Sequence, residues 1–100
     1  KPSYACLASR IPYGHPITRE ALLRIDAAEN VLRDLGFSQV RVRHHGDIAR
    51  IELLKEDIQR LFVDGLVDSV VAGLKTAGYL YITLDLQGYR TGSLNEALPQ

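Results

Sequence analysis

Apolar and polar positions repeat at two different periods along this chain, and the switches between them outline its elements. Leu22, Ile25, Ala28, Leu32 and Leu35 recur at helical spacing. Thr18 precedes them as an N-cap, Arg19, Glu20 and Ala21 form the first turn, and Gly36 stands just past the expected end. At about 100° per residue, Glu29 falls inside that stripe near its edge. Two readings fit it. It faces the core and takes an arginine partner from the hairpin that follows, or it borders the stripe and reaches water.

From Gln39 the period drops to two. Val40 and Val42 alternate with Gln39, Arg41 and Arg43; Ala49, Ile51 and Leu53 alternate with Ile48, Arg50 and Glu52. Two strands joined by a tight turn must bring the apolar sets to one face, since a one-residue slip turns one set outward. The expected register pairs Val42 with Ala49 and Val40 with Ile51, leaving His45-Gly46 as a two-residue loop. Arg41 then lies across from Arg50, Arg43 beside Ile48, and Gln39 across from Glu52. A bulged turn with Gly46 in the left-handed region is the competing geometry.

Residues 55–62 suggest a short helix and 64–76 another, with Val67, Val70, Val71 and Leu74 buried and Gly78 ending it. Tyr79 to Leu86 alternates again. Leu80, Ile82, Leu84 and Leu86 face one side, and Tyr79, Tyr81, Thr83 and Asp85 the other, wet side. In a shared sheet Asp85 lies with the arginines. Residues 1–17 hold three of the four prolines and no helical period, so a loop is expected there. The tail from Gln87 has turn chemistry at Gly88 and Gly92 and carries Arg90, Ser93 and Asn95. The expected fold is one α+β domain, a small, mostly antiparallel sheet (hairpin plus a third strand) packed on one face against two to three helices.

Composition narrows the function classes. With 46% hydrophobic residues the chain can bury a core. Twelve basic and twelve acidic side chains cancel, so no global field draws in nucleic acid or an anionic membrane. No basic helix or aromatic platform suggests nucleic acid either. No apolar run approaches the roughly 18 residues of a membrane span, and no signal peptide is visible. The single cysteine excludes an intramolecular disulfide. A cytoplasmic protein is the simplest expectation. The chain begins with Lys rather than Met and reads as a piece of something longer.

Arg41, Arg43 and Arg50 on one sheet face carry the strongest chemical signal. Like charges side by side destabilise a strand pair, and guanidinium forks match carboxylates and phosphates. The face is either an anion-receiving surface or a solvated one neutralised by Glu29, Glu52 and Asp85. Cys6 taken alone is more often a small buried hydrophobe than a nucleophile. Its setting beside Ser9 and Arg10 shifts that balance, because a nearby cation favours the thiolate. His44 and His45 point to opposite strand faces, and with His15 they have no third ligand at fitting spacing, so no metal site is expected.

Three blocks resemble the carboxy-terminal half of the LarE-type ATP-dependent sulfur transferases: CLASRIPYG followed by PIT, then RVRHHGDIARIE, then TLDLQGYRTGSLNE. The resemblance runs from about Tyr4 to Leu98. That family makes the pyridinium thiocarboxylate mononucleotide that becomes the nickel-pincer cofactor of lactate racemase. The resemblance implies that residues 1–100 are the sulfur-donor and substrate-binding half of a larger protein. The amino-terminal PP-loop pyrophosphatase half, with its SGG-type phosphate loop, has no counterpart in these residues. It implies no cofactor in this domain, ATP and magnesium in the missing one, and no activity without that half.

In that family the substrate carboxylate is adenylated, a cysteine thiolate displaces AMP, and cleavage of the Cβ–S bond leaves dehydroalanine in the protein. The resemblance implies that the sacrificial cysteine here is Cys6. Another branch carries sulfur on a cluster held by three cysteines, which a single cysteine disfavours. The resemblance implies that Arg41, Arg43 and Arg90 bind the phosphate and carboxylates of a pyridinium carboxylate mononucleotide. Ser9 and Arg10 flank the thiolate. Glu29, Glu52 and Asp85 line the site, holding arginines or helping proton transfer. A homo-oligomer is also implied. Two other classes stay open: an anion- or nucleotide-binding module with an inert Cys6, and a structural oligomerisation domain with Tyr79 and Tyr81 in a subunit contact.

Overall fold

The computed structural model describes residues 4–63 and 65–90. The expectations for Gly92, Ser93 and Asn95 lie outside them. The chain runs α1 (Tyr4–Ala8), α2 (Arg19–Asp34), β1 (Val40–His45), β2 (Ile48–Leu53), a 3-10 helix (Lys55–Phe62), α3 (Leu66–Ala77) and β3 (Tyr81–Leu84). α2 starts as its sequence dictates. Thr18 is extended and its hydroxyl accepts the Ala21 amide at 3.1 Å. The chain leaves past Leu35 through Gly36 at φ 101°, a conformation that favours glycine. α1 replaces part of the expected loop; five residues are too few to show a helical period.

The hairpin forms in a different register from the one expected. Val42 faces Ile51, Val40 faces Leu53, Arg41 faces Glu52 and Arg43 faces Arg50. The shift is two residues, which leaves every side chain on its face, so alternation cannot choose between the registers. The loop chooses. Gly46 at φ 63° opens a Gly46-Asp47 turn, and His45 stays in the strand, paired with Ile48.

β3 joins the other side of β2 in parallel, with Ala49 beside Ile82 and Ile51 beside Leu84. A parallel neighbour needs a crossover, which the 3-10 helix and α3 supply. The fold is thus α+β with a mixed three-stranded sheet. Val40, Val42, Ala49, Ile51 and Leu53 pack with Ala28, Leu32, Val70 and Leu74 of the two long helices. A second cluster, Leu7, Ile11, Ala21, Leu22 and Ile25, fixes the N-terminal segment to α2.

Four burial expectations are overturned around α3 and β3. Val67 is exposed, Leu80 and Leu86 are exposed, and Tyr79 is buried. Only four residues are strand, so the alternation stops short of both ends. Tyr79 belongs to the turn that ends α3. Its amide bonds to Leu74 and that of Gly78 to Lys75, the pattern in which a helix closes on a left-handed glycine. Buried in this turn, Tyr79 is not available for the subunit contact considered above.

α2 and α3 approach closely at Gly73. A Cβ there would lie 2.5 Å from Cγ1 of Val31. Gly73→Ala gains about 1 kcal/mol of helix propensity but overpacks this contact at a cost of about 1–3 kcal/mol. Net destabilisation is expected in the wild-type background, and net stabilisation when Val31→Ala is also present. Urea midpoints of the four combinations check this; a lone Gly73→Ala that stabilises refutes it.

Candidate functional site

The sheet face turned away from α2 and α3 carries Arg41, Arg43 and His45 from β1, and Ile48, Arg50 and Glu52 from β2. Its charged groups form one continuous chain of ion pairs. Arg43 meets Glu52 at 3.1 Å, Arg50 meets Glu52 at 2.8 Å and Asp85 at 2.6 Å, and Arg90 meets Asp85 at 3.1 Å. The register explains how Arg43 and Arg50 tolerate facing each other, since Glu52 lies between them and accepts from both. Arg41 stands apart. It donates to the Val40 carbonyl and lies 4.9 Å from the Tyr89 ring centre, with no carboxylate partner among the described residues. Among the described residues, Arg41, Arg43, Arg50 and Arg90 stand against Glu52 and Asp85 on this face, four positive charges to two negative.

Burial alone would raise the Asp85 carboxyl. Hydrogen bonds from the Gln87 amide, Arg90 and Arg50 more than offset that and hold it below the ordinary value. Glu52 is fully buried and Arg43 nearly so, covered where Arg43 donates to the Ser9 carbonyl at 3.3 Å and the Arg90 carbonyl at 3.4 Å. This brings the N-terminal segment onto the arginine face.

A second cluster sits behind Ser9. Glu29 has no exposed surface, and four donors fill its carboxylate: Arg10 Nε at 2.8 Å and Nη2 at 3.1 Å, Arg33 Nη2 at 3.0 Å, and the Val42 amide at 2.9 Å. The buried carboxylate does take arginine partners, but not from the hairpin, whose side chains lie across the sheet. Arg33 follows Glu29 by four residues on the same helix face, a spacing the sequence displays. The Val42 and His44 amides point away from β2; Glu29 takes one, and the Arg10 carbonyl takes the other at 2.8 Å.

Cys6 is exposed in the middle of α1. Ser9 and Arg10 do flank it, and they reach its backbone carbonyl. Ser9 Oγ donates at 2.7 Å and Arg10 Nη1 at 2.8 Å, while Arg10 Nη1 also donates to Ser9 Oγ at 2.9 Å. Ser9 therefore joins the two charged clusters, with Arg43 on its carbonyl and Arg10 on its hydroxyl.

The two adjacent histidines separate as the alternation requires. His44 Nδ1 lies 2.7 Å from the Tyr79 hydroxyl on the helix side, and His45 Nε2 accepts from Arg50 Nε at 3.3 Å on the arginine side. Burial lowers both pKa values below 6.5, with Arg24 adding to the effect at His44 and Arg50 at His45. Burial pushes the Tyr79 hydroxyl up. An unfolded histidine takes up its proton near pH 6.5 and these only below it, so the unfolded state binds more protons in that window. Stability is thus expected to hold above about pH 6.5 and fall on acidification, with Asp85 adding a loss as the pH passes below about 4. Urea midpoints at about pH 7.5 and about pH 5.5 check this, and His44→Gln should narrow the gap. Equal wild-type midpoints refute it.

Eight of the nine candidate residues thus meet through two clusters joined at Ser9; Arg41 shares the sheet face but touches neither cluster, and Arg33, Arg50 and Tyr89 are added. Arg50 was visible as a face residue and Arg33 by its spacing; nothing in the pattern marked Tyr89 as a platform for Arg41. Among the described residues no three His, Cys, Asp or Glu side chains gather to hold a metal, and no helix is long and apolar enough to cross a membrane.

A network of buried and half-buried arginines and carboxylates, meeting at Ser9 the segment that bears the exposed Cys6, makes up the candidate site. No family model matches the chain. Curated relatives align over nearly all of it. An uncharacterised protein of Synechocystis sp. is 49% identical over 98 residues, which is 98% of this chain and 37% of that protein. The pyridinium-3,5-bisthiocarboxylic acid mononucleotide synthase of Lactiplantibacillus plantarum is 46% identical over 92 residues, 92% of this chain and 33% of the synthase. An uncharacterised protein of Methanocaldococcus jannaschii is 26% identical over 90 residues, 90% of this chain and 34% of that protein. The chain spans about a third of the length of the curated relatives it matches. Over that third, the chain is similar in sequence to the synthase.

Proposed function

We propose that these residues are the substrate-binding and sulfur-donating domain of a larger ATP-dependent sulfur transferase, which converts a pyridinium carboxylate mononucleotide to a thiocarboxylate at the expense of Cys6. The observation that carries this reading is the meeting, at Ser9, of the segment bearing an exposed cysteine with an arginine face of excess positive charge. The identity to a synthase of a thiocarboxylated mononucleotide supports the chemistry.

The residues divide as follows. Arg41, the one guanidinium of this face with no carboxylate among the described residues, takes the phosphate or a carboxylate of the substrate. Arg43 and Arg90 join it, held in place by Glu52 and Asp85. A carboxylate is a poor electrophile, so it is activated as the adenylate in a part of the protein outside this chain, where ATP and magnesium are bound. The Cys6 thiolate attacks the acyl carbon and AMP leaves, giving a thioester. Loss of the Cys6 α-proton and cleavage of Cβ–S release the thiocarboxylate and leave dehydroalanine. Glu29 holds Arg10, and Glu52 holds Arg43 and Arg50; neither carboxylate reaches solvent.

The test is the intact mass of the full-length protein carrying these residues, after incubation with ATP, magnesium and a pyridinium carboxylate mononucleotide. Loss of one hydrogen sulfide, mapped to residue 6 and abolished by Cys6→Ala, is the expected result. An unchanged mass with the mononucleotide still bound refutes sulfur donation and leaves an anion-binding module.

A further inference from the structure

The Cys6 carbonyl is treated differently from its neighbours. Leu7 O and Ala8 O, at the same helix end, each accept one backbone amide, from Arg10 at 3.0 Å and Ile11 at 3.1 Å. Cys6 O accepts three donors: the Ser9 amide at 3.2 Å, Ser9 Oγ at 2.7 Å and Arg10 Nη1 at 2.8 Å. One donor satisfies a carbonyl at a helix end. Three, one of them a guanidinium, suit an oxygen that becomes an anion.

Arg10 is fixed for that task. Its side chain is nearly buried, and Glu29 grips Nε and Nη2, which leaves Nη1 aimed at the Cys6 carbonyl and the Ser9 hydroxyl. Glu29 divides its charge between Arg10 and Arg33, so the guanidinium keeps part of its positive field.

We propose that Ser9 and Arg10 form an oxyanion hole for the enolate of Cys6, and so catalyse the elimination half of the reaction. This rests on the reading of Cys6 as sulfur donor. Once Cys6 is a thioester, a general base takes its α-proton. The C–H electron pair moves into the Cα–C bond and places negative charge on the Cys6 carbonyl oxygen. That charge returns to form Cα=Cβ, and the Cβ–S pair leaves with sulfur as the thiocarboxylate. No oxidant or reductant enters. The donors already touch this oxygen, and their bonds strengthen as it gains charge, so they stabilise the transition state more than the ground state.

Ser9→Ala is the variant of choice, because Ser9 is exposed and, among the described residues, its hydroxyl bonds to the Cys6 carbonyl and Arg10 alone. Intact mass over time separates the unmodified protein, the thioester adduct and the dehydroalanine product. Ser9→Ala is expected to slow elimination about 10²-fold, far more than it slows thioester formation, and so to accumulate the thioester. Equal slowing of both steps, or wild-type elimination, overturns the proposal.

A second assay needs no turnover. Cys6 of this 100-residue chain is cyanylated with 2-nitro-5-thiocyanobenzoate, and base-driven loss of thiocyanate to dehydroalanine is timed. Native Ser9→Ala is expected to eliminate about tenfold or more slowly than native wild type, with the two equal in denaturant. Equal native rates overturn the oxyanion hole. A native difference in a protein that never forms the thioester during turnover keeps the oxyanion hole and refutes the sulfur-donor reading instead.

Discussion

Glu29→Ala is expected to destabilise the domain by about 3–5 kcal/mol, the cost of removing one partner from a buried ion pair. The carboxylate has no exposed surface, and its loss strands Arg10, itself nearly buried, together with the Val42 amide. A domain of this size has about 5–15 kcal/mol in total, so the variant sits near the edge of folding. Glu20→Ala is the control. It removes an exposed carboxylate 3.6 Å from Arg24 and should change stability by less than about 1 kcal/mol. Urea unfolding of the three proteins decides the matter; a Glu29→Ala cost no larger than that of Glu20→Ala removes Glu29 from its structural role. The loss should not be repaired by Glu29→Gln, whose amide cannot supply four acceptor positions to the same donors.

The second large effect is on binding. Arg41→Ala is expected to weaken binding of a pyridinium carboxylate mononucleotide by about 10–100-fold, the loss of one charge-assisted hydrogen bond. Stability should change by less than about 0.5 kcal/mol, since Arg41 leaves behind only a strand carbonyl and the Tyr89 ring. Arg43→Ala must behave differently. It abandons Glu52, so its loss of affinity comes with a loss of stability. Titration calorimetry and urea unfolding on both variants separate the two. Unchanged affinity in Arg41→Ala means that this face is not where the phosphate or carboxylates bind.

The elements were legible where a local rule fixes them. Thr18, the Leu22–Leu32 stripe and Gly36 delimit α2 without help from the rest of the chain. Asp85 reached the arginine side because alternation decides faces. Alternation decides nothing about register modulo two or about strand direction, so the Val42–Ile51 pairing and the parallel course of β3 were not available from it. Glu29 was readable as an acid that needs arginine. The choice of Arg10 was not, because a segment without a period gives no account of where residue 10 lies relative to a helical residue 19 positions later. The same lack concealed that Ser9 and Arg10 meet the carbonyl of Cys6.

The outward amides of β1 have a consequence for assembly. Val42 and His44 donate to a carboxylate of α2 and to a carbonyl of the N-terminal segment, so at these two positions the margin offers no strand an amide to pair with. Among the described strands β3 is the sheet's other edge, opposite its pairing with β2. At Val42 and His44, the side that carries Arg10 and Cys6 is therefore closed to strand addition from another molecule.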